Sequence, residues 1–151
     1  MPQIPSSRSG QYVLMEPEPS TLIVDGSSFR IEFRRDGNRL RASVTGVTGS
    51  LEASREYWAL IARETMSAGV PTLLVIDRTA GGSLTLAELE QFIHHLSELG
   101  LERVRTAYVG VDTARSWQNE TTEILARERG FVARVFEIES EASLWLRHGE
   151  I

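Results

Sequence analysis

Three glycines spaced by about 30 residues constrain the fold more than any other feature of the sequence. Gly69, Gly100 and Gly130 each follow a segment with helical periodicity, and each precedes an apolar residue. This is the Schellman pattern, in which a left-handed glycine ends a helix and the next residue packs back onto that helix. Because about 30 residues is also the length of a β-α-β unit, the later part of the chain is predicted to alternate strands with helices.

The segment before these units alternates with a period of two, which indicates antiparallel strands. Asp25-Gly26 and Asp36-Gly37 supply the residues that tight hairpin turns require. From Phe29 to Val44, apolar residues alternate with mostly charged ones. One face of this meander is therefore predicted to be buried and the other to be solvated.

After the meander the period changes from 2 to 3.6, and a first helix is predicted from about Leu51 to Ala68. The run from Thr72 to Ile76 has no polar alternation, which is typical of a strand buried on both faces of a parallel sheet. The second helix is predicted to begin at a capping box of Thr85 and Glu88. A strand from Val104 to Val111 follows, and then a helix with an apolar face at Trp117, Thr121, Ile124 and Leu125. The last two elements are a strand from Phe131 to Ile138 and a helix capped by Ser140.

Right-handed crossovers between these units make the later strands parallel. The predicted fold class is therefore α/β, with a mixed β-sheet in which an N-terminal antiparallel hairpin or meander is followed by parallel β-α units. Residues 29–151 are expected to form this domain. Residues 1–28 are expected to form an extension, because most of the prolines lie there. Residues 1–10 are expected to be mobile. Tyr12–Met15 and Leu22–Val24 are expected to form edge strands, which tolerate nearby proline.

Two missing residue types exclude several chemistries. There is no cysteine, so disulfides, thiolate nucleophiles and cysteine-based metal sites are excluded. All 16 basic residues are arginine, which excludes the lysine of a phosphate-binding P-loop and Schiff-base chemistry. We therefore predict no cofactor.

The net charge of -5 argues against binding of nucleic acid through the overall field, although a local basic patch stays open. The first residues lack the apolar core of a signal peptide, and no apolar run approaches the roughly 18 residues of a membrane span. We expect a cytoplasmic protein without membrane insertion, and the sequence assigns no oligomeric state.

The candidate binding residues lie where parallel strands are predicted to end. Open α/β sheets bind ligands at the carboxyl ends of their strands, and free N–H groups of helix starts collect at the same edge. If the strands before Asp77 and Asp112 are neighbours, the following residues lie together at that edge: Arg78, Thr79, Ser83, Asp112 and Trp117. A solvated loop edge is the competing interpretation.

Two other clusters have a plainer interpretation. Glu90, His94 and Glu98 repeat every four residues on a predicted helix, a spacing that suits a metal or an acid-base cluster and equally a solvated helix face. No zinc-binding or nucleophile motif accompanies them, so no metal or catalytic residue is assigned.

The predicted hairpin has a polar face rich in arginine. Arg30, Arg34, Arg39 and Arg41 lie on it, together with Glu32. Arginines in such a cluster can meet phosphate or an acidic partner, and the alternative is an ordinary solvated face.

The chain resembles the SpoIIAA-like proteins, which are relatives of the STAS domain of anti-sigma-factor antagonists and have a sheet also likened to lipid-binding CRAL-TRIO domains. The segments that carry the resemblance are Phe29–Val44, Thr72–Asp77, Arg105–Gly110, Ala133–Ile138 and Glu141–Leu146. The resemblance implies a small bacterial regulatory or binding module with no established catalytic activity.

One motif of the STAS antagonists is absent. They carry a phosphorylatable serine in an Asp-Ser-(Ser/Ala)-Gly motif, whereas this chain has Gly-Gly-Ser-Leu-Thr from Gly81 to Thr85. No phosphoacceptor is therefore assigned to Ser83 or Thr85. The first functional hypothesis is a non-enzymatic module that binds a protein partner. The second is a carrier or sensor of an apolar small molecule or lipid, and the third is an enzyme with an unrecognised site.

Overall fold

A computed structural model describes residues 21–149 of the chain. The predictions of mobility at residues 1–10 and of an edge strand at Tyr12–Met15 lie outside this range. The strands in the described range are β1 (Thr21–Asp25), β2 (Phe29–Asp36), β3 (Arg39–Gly46), β4 (Thr72–Asp77), β5 (Arg105–Gly110) and β6 (Ala133–Phe136). The α-helices are α1 (Leu51–Ala68), α2 (Leu86–Leu96), α3 (Ser116–Glu128) and α4 (Glu139–His148), and short 3-10 turns cover Leu101–Arg103 and Thr113–Arg115.

The strands form one sheet whose spatial order is the chain order, β1-β2-β3-β4-β5-β6. The first three strands pair antiparallel, and β3 to β6 pair parallel. This arrangement confirms the predicted mixed α/β class. The strand predicted at Leu22–Val24 lies within β1, at one edge of the sheet.

The strand order determines where the helices lie. Each parallel connection steps to the next strand in the same direction, and right-handed crossovers then place α1, α2 and α3 on the same face of the sheet. Those helices cover the larger core, which includes Ile31, Phe33, Ile61, Leu73 and Phe92. We call this the first face.

Helix α4 has no following strand and lies on the opposite, second face. Its residues Ala142, Trp145 and Leu146 pack against Leu74 and Ile76 of β4 and against β5. Part of this face stays open, because Arg30, Glu32 and Arg34 of β2 are exposed. The predicted solvated face of the meander is therefore present, and α4 covers the neighbouring half of the sheet.

The local signals in the sequence explain both ends of α1 and the start of α2. Helix α1 has the predicted bounds and ends at Gly69, whose φ of 66° is the left-handed conformation that glycine adopts most easily. The predicted capping box of Thr85 and Glu88 opens α2. The prediction that Gly100 ends α2 is wrong, because the helix ends at Leu96 with Ser97 in the cap position. The prediction that Ser140 caps the last helix is wrong, because α4 begins one residue earlier and Ile138 occupies the cap position.

Within residues 21–149, none of the helices combines the length and the apolar content that crossing a bilayer requires.

Candidate functional site

A buried carboxylate stands at the carboxyl end of β4. Asp77 is only 4% exposed, and each of its oxygens accepts hydrogen bonds. The hydroxyl of Tyr57 in α1 donates to Oδ2 over 3.3 Å, and the hydroxyl of Tyr108 in β5 donates to the same oxygen. The backbone N–H and the hydroxyl of Thr79 donate to Oδ1 over 2.9 and 2.6 Å.

The network continues from Asp77 into the loops on both sides. The hydroxyls of Thr48 and Thr79 lie 2.7 Å apart, and Nη1 of Arg115 donates to the Thr79 hydroxyl over 3.1 Å. The same Nη1 lies 3.7 Å from Oδ2 of Asp77. Thr48 follows β3, Thr79 follows β4 and Arg115 follows β5, so one set of polar contacts joins three neighbouring loops.

Arg115 is almost fully buried, at 4% exposure, and its charge is balanced mainly by Asp77. Its Nε and Nη2 have no hydrogen-bond partner among the described residues, and the nearest second carboxylate oxygen, Oδ2 of Asp112, is 4.0 Å from Nε. A buried ion pair contributes little net stability, but loss of one partner costs about 3 to 5 kcal/mol because a charge is left uncompensated. The pair therefore fixes geometry more than it adds stability.

The Gly-Gly loop passes directly over this arginine. Gly81 has a φ of 128°, and a Cβ atom there would collide with the Thr48 carbonyl oxygen and lie 3.3 Å from Nη2 of Arg115. The loop can approach the network this closely only because Gly81 has no side chain.

Both tyrosines at Asp77 stay protonated. Burial raises the pKa of Tyr57 and of Tyr108 well above the ordinary value, and the charge of Asp77 raises both further. Protonated phenols are donors, so they hold the carboxylate in place. The four groups that donate hydrogen bonds to Asp77 all belong to this chain. The cluster is therefore suited to holding the loops in position.

The candidate residues predicted from the sequence are distributed over this edge of the sheet. Because β4 and β5 are parallel neighbours, the loops after them do lie at one edge. Thr79 belongs to the buried network, and Asp112 accepts a hydrogen bond from the Ala114 N–H over 3.0 Å while its side chain stays 41% exposed. Ser83 is exposed in the Gly-Gly loop, and Trp117 is 57% exposed.

Arg78 lies on the other face of the sheet. Side chains alternate along a strand, so Arg78 points away from the face that Asp77 occupies. Its charge acts on Glu139 at the start of α4. The pKa of Glu139 is lowered, mainly by the hydrogen bond from Arg41, with smaller contributions from Arg78 and Arg34.

The sequence did not single out Thr48, Tyr57, Tyr108 or Arg115. Tyr57 and Tyr108 read as ordinary apolar positions of a helix and a strand, and Arg115 is one of 16 arginines in the chain. Nothing in the local pattern distinguishes an arginine that turns inward at a 3-10 turn.

Exposed apolar side chains accompany the buried network at the same edge. Val47 and Val111 are 54% and 49% exposed, and Trp117 is 57% exposed. Val47 follows β3 and pairs with Ala80 in a parallel bridge, while Val111 directly follows β5. We call Val47, Val111 and Trp117 the carboxyl-edge patch.

The apolar face predicted for α3 is wrong for Trp117 and Ile124, which point to solvent, whereas Leu125 packs against the larger core. The rest of the inner face of α3 is formed by residues that are polar or small. Two of these hold the helix in place: Gln118 accepts a hydrogen bond from the Leu84 N–H over 2.6 Å, and Glu123 accepts one from the Val135 N–H over 2.7 Å. The side chain–backbone contacts replace the apolar packing that the periodicity suggested.

A cavity of about 80 Å³ lies beneath α3. The cavity forms because the side chains on the inner face of α3 are too small to fill the space opposite the aromatic residues of the larger core. The aromatic wall consists of Tyr57, Trp58, Phe92, Tyr108 and Phe131, and the wall from α3 consists of Gln118, Asn119, Thr122, Glu123 and Ala126.

Glu90 and His94 are exposed on α2, and Glu98 is exposed in the turn two residues beyond its end. Nε2 of His94 lies 3.7 Å from Oε2 of Glu98, and both side chains are more than half exposed, at 69% and 65%. Within the described part of the chain, no group of three or more His, Asp or Glu side chains is arranged for a metal ion.

A solved structure similar to this chain is that of an uncharacterised DUF3478-family protein from Shewanella loihica PV-4, described as having a SpoIIAA-like fold. The alignment covers 86% of this chain and 99% of that chain, at 18% sequence identity and a TM-score of 0.48. The fold description of that protein agrees with the resemblance stated from the sequence. No protein-family model and no curated protein matches the chain.

The raised tyrosine pKa values predict how the protein responds to alkali. The chain has three tyrosines. In the unfolded chain all of them lose their protons near pH 10, whereas folded Tyr57 and Tyr108 keep theirs. Their contribution to stability is therefore complete below pH 10 and declines above it, because only the unfolded state releases protons there.

The measurement is the ultraviolet absorbance of tyrosinate during a titration of the native and of the urea-unfolded protein. The native protein should show the signal of no more than one tyrosine near pH 10, and Tyr57→Phe should leave that signal unchanged. Titration of all three tyrosines near pH 10 in the native state would contradict the network as described.

Proposed function

We propose that the protein is a non-enzymatic regulatory or binding module that recognises a protein partner through the carboxyl-edge patch. The observation that carries the proposal is the exposure of Trp117, at 57%, at the edge of the sheet where Val47 and Val111 are also exposed. Tryptophan is enriched among the residues that dominate the free energy of protein association.

Rigid presentation supports this role. Trp117 lies two residues after Arg115, which is buried and bonded to Thr48 and Thr79. The loops that carry Val47 and Val111 belong to the same network. A surface held in its binding geometry loses less conformational entropy on association.

Polar groups lie at the same edge, as they do at the rim of many interfaces. Asp112 directly follows Val111, Ser83 lies in the Gly-Gly loop, and both are at least partly exposed. The proposal thus retains Ser83, Asp112 and Trp117 as contact residues, and it assigns Thr79 to the support of the loops.

The non-enzymatic part of the proposal rests on the chemistry of the buried cluster. Every polar partner of Asp77 is another part of the chain, and Tyr57 and Tyr108 hold their protons. A general base needs a free oxygen within reach of a substrate. The proposal includes a location in the bacterial cytoplasm, for which the support is the sequence.

The test begins with a photo-reactive phenylalanine analogue in place of Val111 in the native cell, followed by identification of the cross-linked protein. The dissociation constant of that protein is then measured with purified variants. Trp117→Ser should weaken binding about 30-fold, which corresponds to the 2 kcal/mol typical of a dominant interface residue.

The matched control is Leu144→Ser, which removes an equally exposed apolar side chain from α4, at 50% exposure. It should change the dissociation constant less than twofold. Loss of binding with Leu144→Ser and retention with Trp117→Ser would place the interface on the second face and refute the proposal.

The cavity beneath α3 favours a second candidate function, a sensor of a small apolar molecule. Its volume of about 80 Å³ is roughly half that of an engineered cavity of about 150 Å³ that binds benzene. A lipid chain does not fit while α3 keeps its bonds to Leu84 and Val135. A small ring compound with one polar group fits the aromatic wall and the amide of Asn119 better.

Native mass spectrometry of freshly purified protein tests for a retained small molecule, and thermal unfolding tests indole and benzene as added probes. A ligand at 100 times its dissociation constant stabilises the folded state by about 2.7 kcal/mol. Ala126→Leu, which fills the cavity, should abolish the stabilisation, and Glu120→Leu on the exposed side of α3 should not. Equal responses of both variants, or stabilisation by ATP or NAD alone, would contradict this candidate.

A further inference from the structure

The open part of the second face carries a concentration of arginine. Arg34 of β2 and Arg41 of β3 are direct cross-strand partners, and Arg78 follows β4 on the same face. Helix α4 reaches this region with Glu139 in its first turn, and Ser143 in its second turn accepts hydrogen bonds from Arg39 of β3. We call Arg34, Arg41 and Arg78 the arginine face.

The charges on this surface do not balance. Arg41 forms a two-pronged ion pair with Glu139, with nitrogen–oxygen distances of 3.0 and 3.2 Å. Arg30 is paired in the same way with Asp25, over 2.7 and 3.2 Å. Neither Arg34 nor Arg78 forms an ion pair with any residue in the range 21–149. Both lower the pKa of Glu139 through longer-range electrostatic attraction, which adds to the larger effect of the Arg41 hydrogen bond.

Sheet stability does not explain this arrangement. Like charges directly opposite each other on antiparallel strands are destabilising, and Arg34 stands opposite Arg41. Glu139 pairs with one of the three guanidinium groups, and Glu32, exposed on the same face of β2, adds a further carboxylate, so three arginines face two carboxylates. The surface is therefore locally positive although the whole chain has a net charge of -5.

We propose that the arginine face binds an acidic peptide segment of a protein partner. The guanidinium group of arginine presents paired N–H donors that match a carboxylate, and two such groups on this face lack a carboxylate partner. This inference does not rest on the proposed role of the carboxyl-edge patch, which lies on the edge beside it.

The geometry favours an extended segment over a single small anion. Arg41 is in register with Leu74 of β4, and Arg78 lies four residues beyond Leu74. At about 3.3 Å per residue this separates Arg78 from Arg41 by roughly 13 Å along the strands. Carboxylates four residues apart on an extended peptide span the same distance.

The test uses a fluorescein-labelled octapeptide of alternating Glu and Ser, added to the full-length protein at low salt and followed by fluorescence anisotropy. A Gln-Ser octapeptide is the neutral probe. The acidic peptide should bind and the neutral one should not. Arg34→Gln combined with Arg78→Gln should weaken binding about tenfold or more.

The matched control combines Arg63→Gln with Arg103→Gln, two exposed arginines on α1 and on the 3-10 turn Leu101–Arg103. It removes the same total charge and should leave the dissociation constant within twofold. Trp117→Ser should also leave it unchanged, which separates this surface from the carboxyl-edge patch. Thermal unfolding of each variant verifies that it is folded.

Four results would overturn the proposal. One is the absence of binding by the acidic peptide, and another is an equal loss in both arginine pairs, which would indicate general attraction. Full competition by inorganic phosphate at a concentration equal to that of the peptide would indicate a small-anion site. Tighter peptide binding after Glu16→Gln with Glu18→Gln would mean that the chain's own acidic segment occupies the face.

Discussion

The ion pair between Asp77 and Arg115 is the contact on which the carboxyl edge of the sheet depends. It lies at 3.7 Å in a site where both side chains are almost fully buried. Around it, Thr48, Thr79 and two tyrosines use their polar groups to connect three loops and α1. A buried ion pair adds little to the net free energy of folding, but loss of one of its two charged partners is costly because the other charge is left uncompensated. The pair therefore favours one arrangement of the loops over others.

The position of every other candidate surface follows from the order of the strands. Because each parallel crossover steps in the same direction, three helices share the first face and only α4 is left for the second. The first face consequently holds the cavity beneath α3. Within residues 21–149, β2 is exposed on the second face, whereas Arg39 and Arg41 of β3 contact α4. The arginine face lies there beside the first turn of α4. The chain thus presents an apolar edge and a basic open face on adjacent sides.

Local signals made much of the fold predictable. The Asp36-Gly37 turn, the change of period after the meander and the left-handed Gly69 are features of neighbouring residues, and they predicted the β2–β3 hairpin and the bounds of α1. The prediction that Gly26 supplies a left-handed residue to the first turn is wrong, because Gly26 bonds to Phe29 and the turn is made by Ser27 and Ser28. The position of Thr79 beside the end of β5 was also accessible, because parallel strands align their carboxyl ends. The strand order could not be predicted, because the periodicity within a segment contains no information about which segments pair.

The errors have a common cause in contacts between distant residues. The pattern of Trp117 and Ile124 predicted a buried stripe on α3, but Gln118 and Glu123 bond to the backbone of Leu84 and Val135 and turn that stripe outward. Arg115 could not be recognised as a buried residue, because its partners come from loops 36 and 67 residues earlier. Ser140 was a reasonable cap by residue type, yet the helix begins at Glu139, beside Arg41 of the distant β3.

The central claim is that the Asp77–Arg115 network fixes the loops of the carboxyl edge. Amide hydrogen exchange of the wild-type protein and of Arg115→Met tests it most directly. The account predicts faster exchange in the variant at residues 47–49, 80–83 and 111–117, with unchanged exchange in the β1–β2 hairpin and in α4. Unchanged exchange in the three loops, or an equal increase throughout the chain, would contradict it.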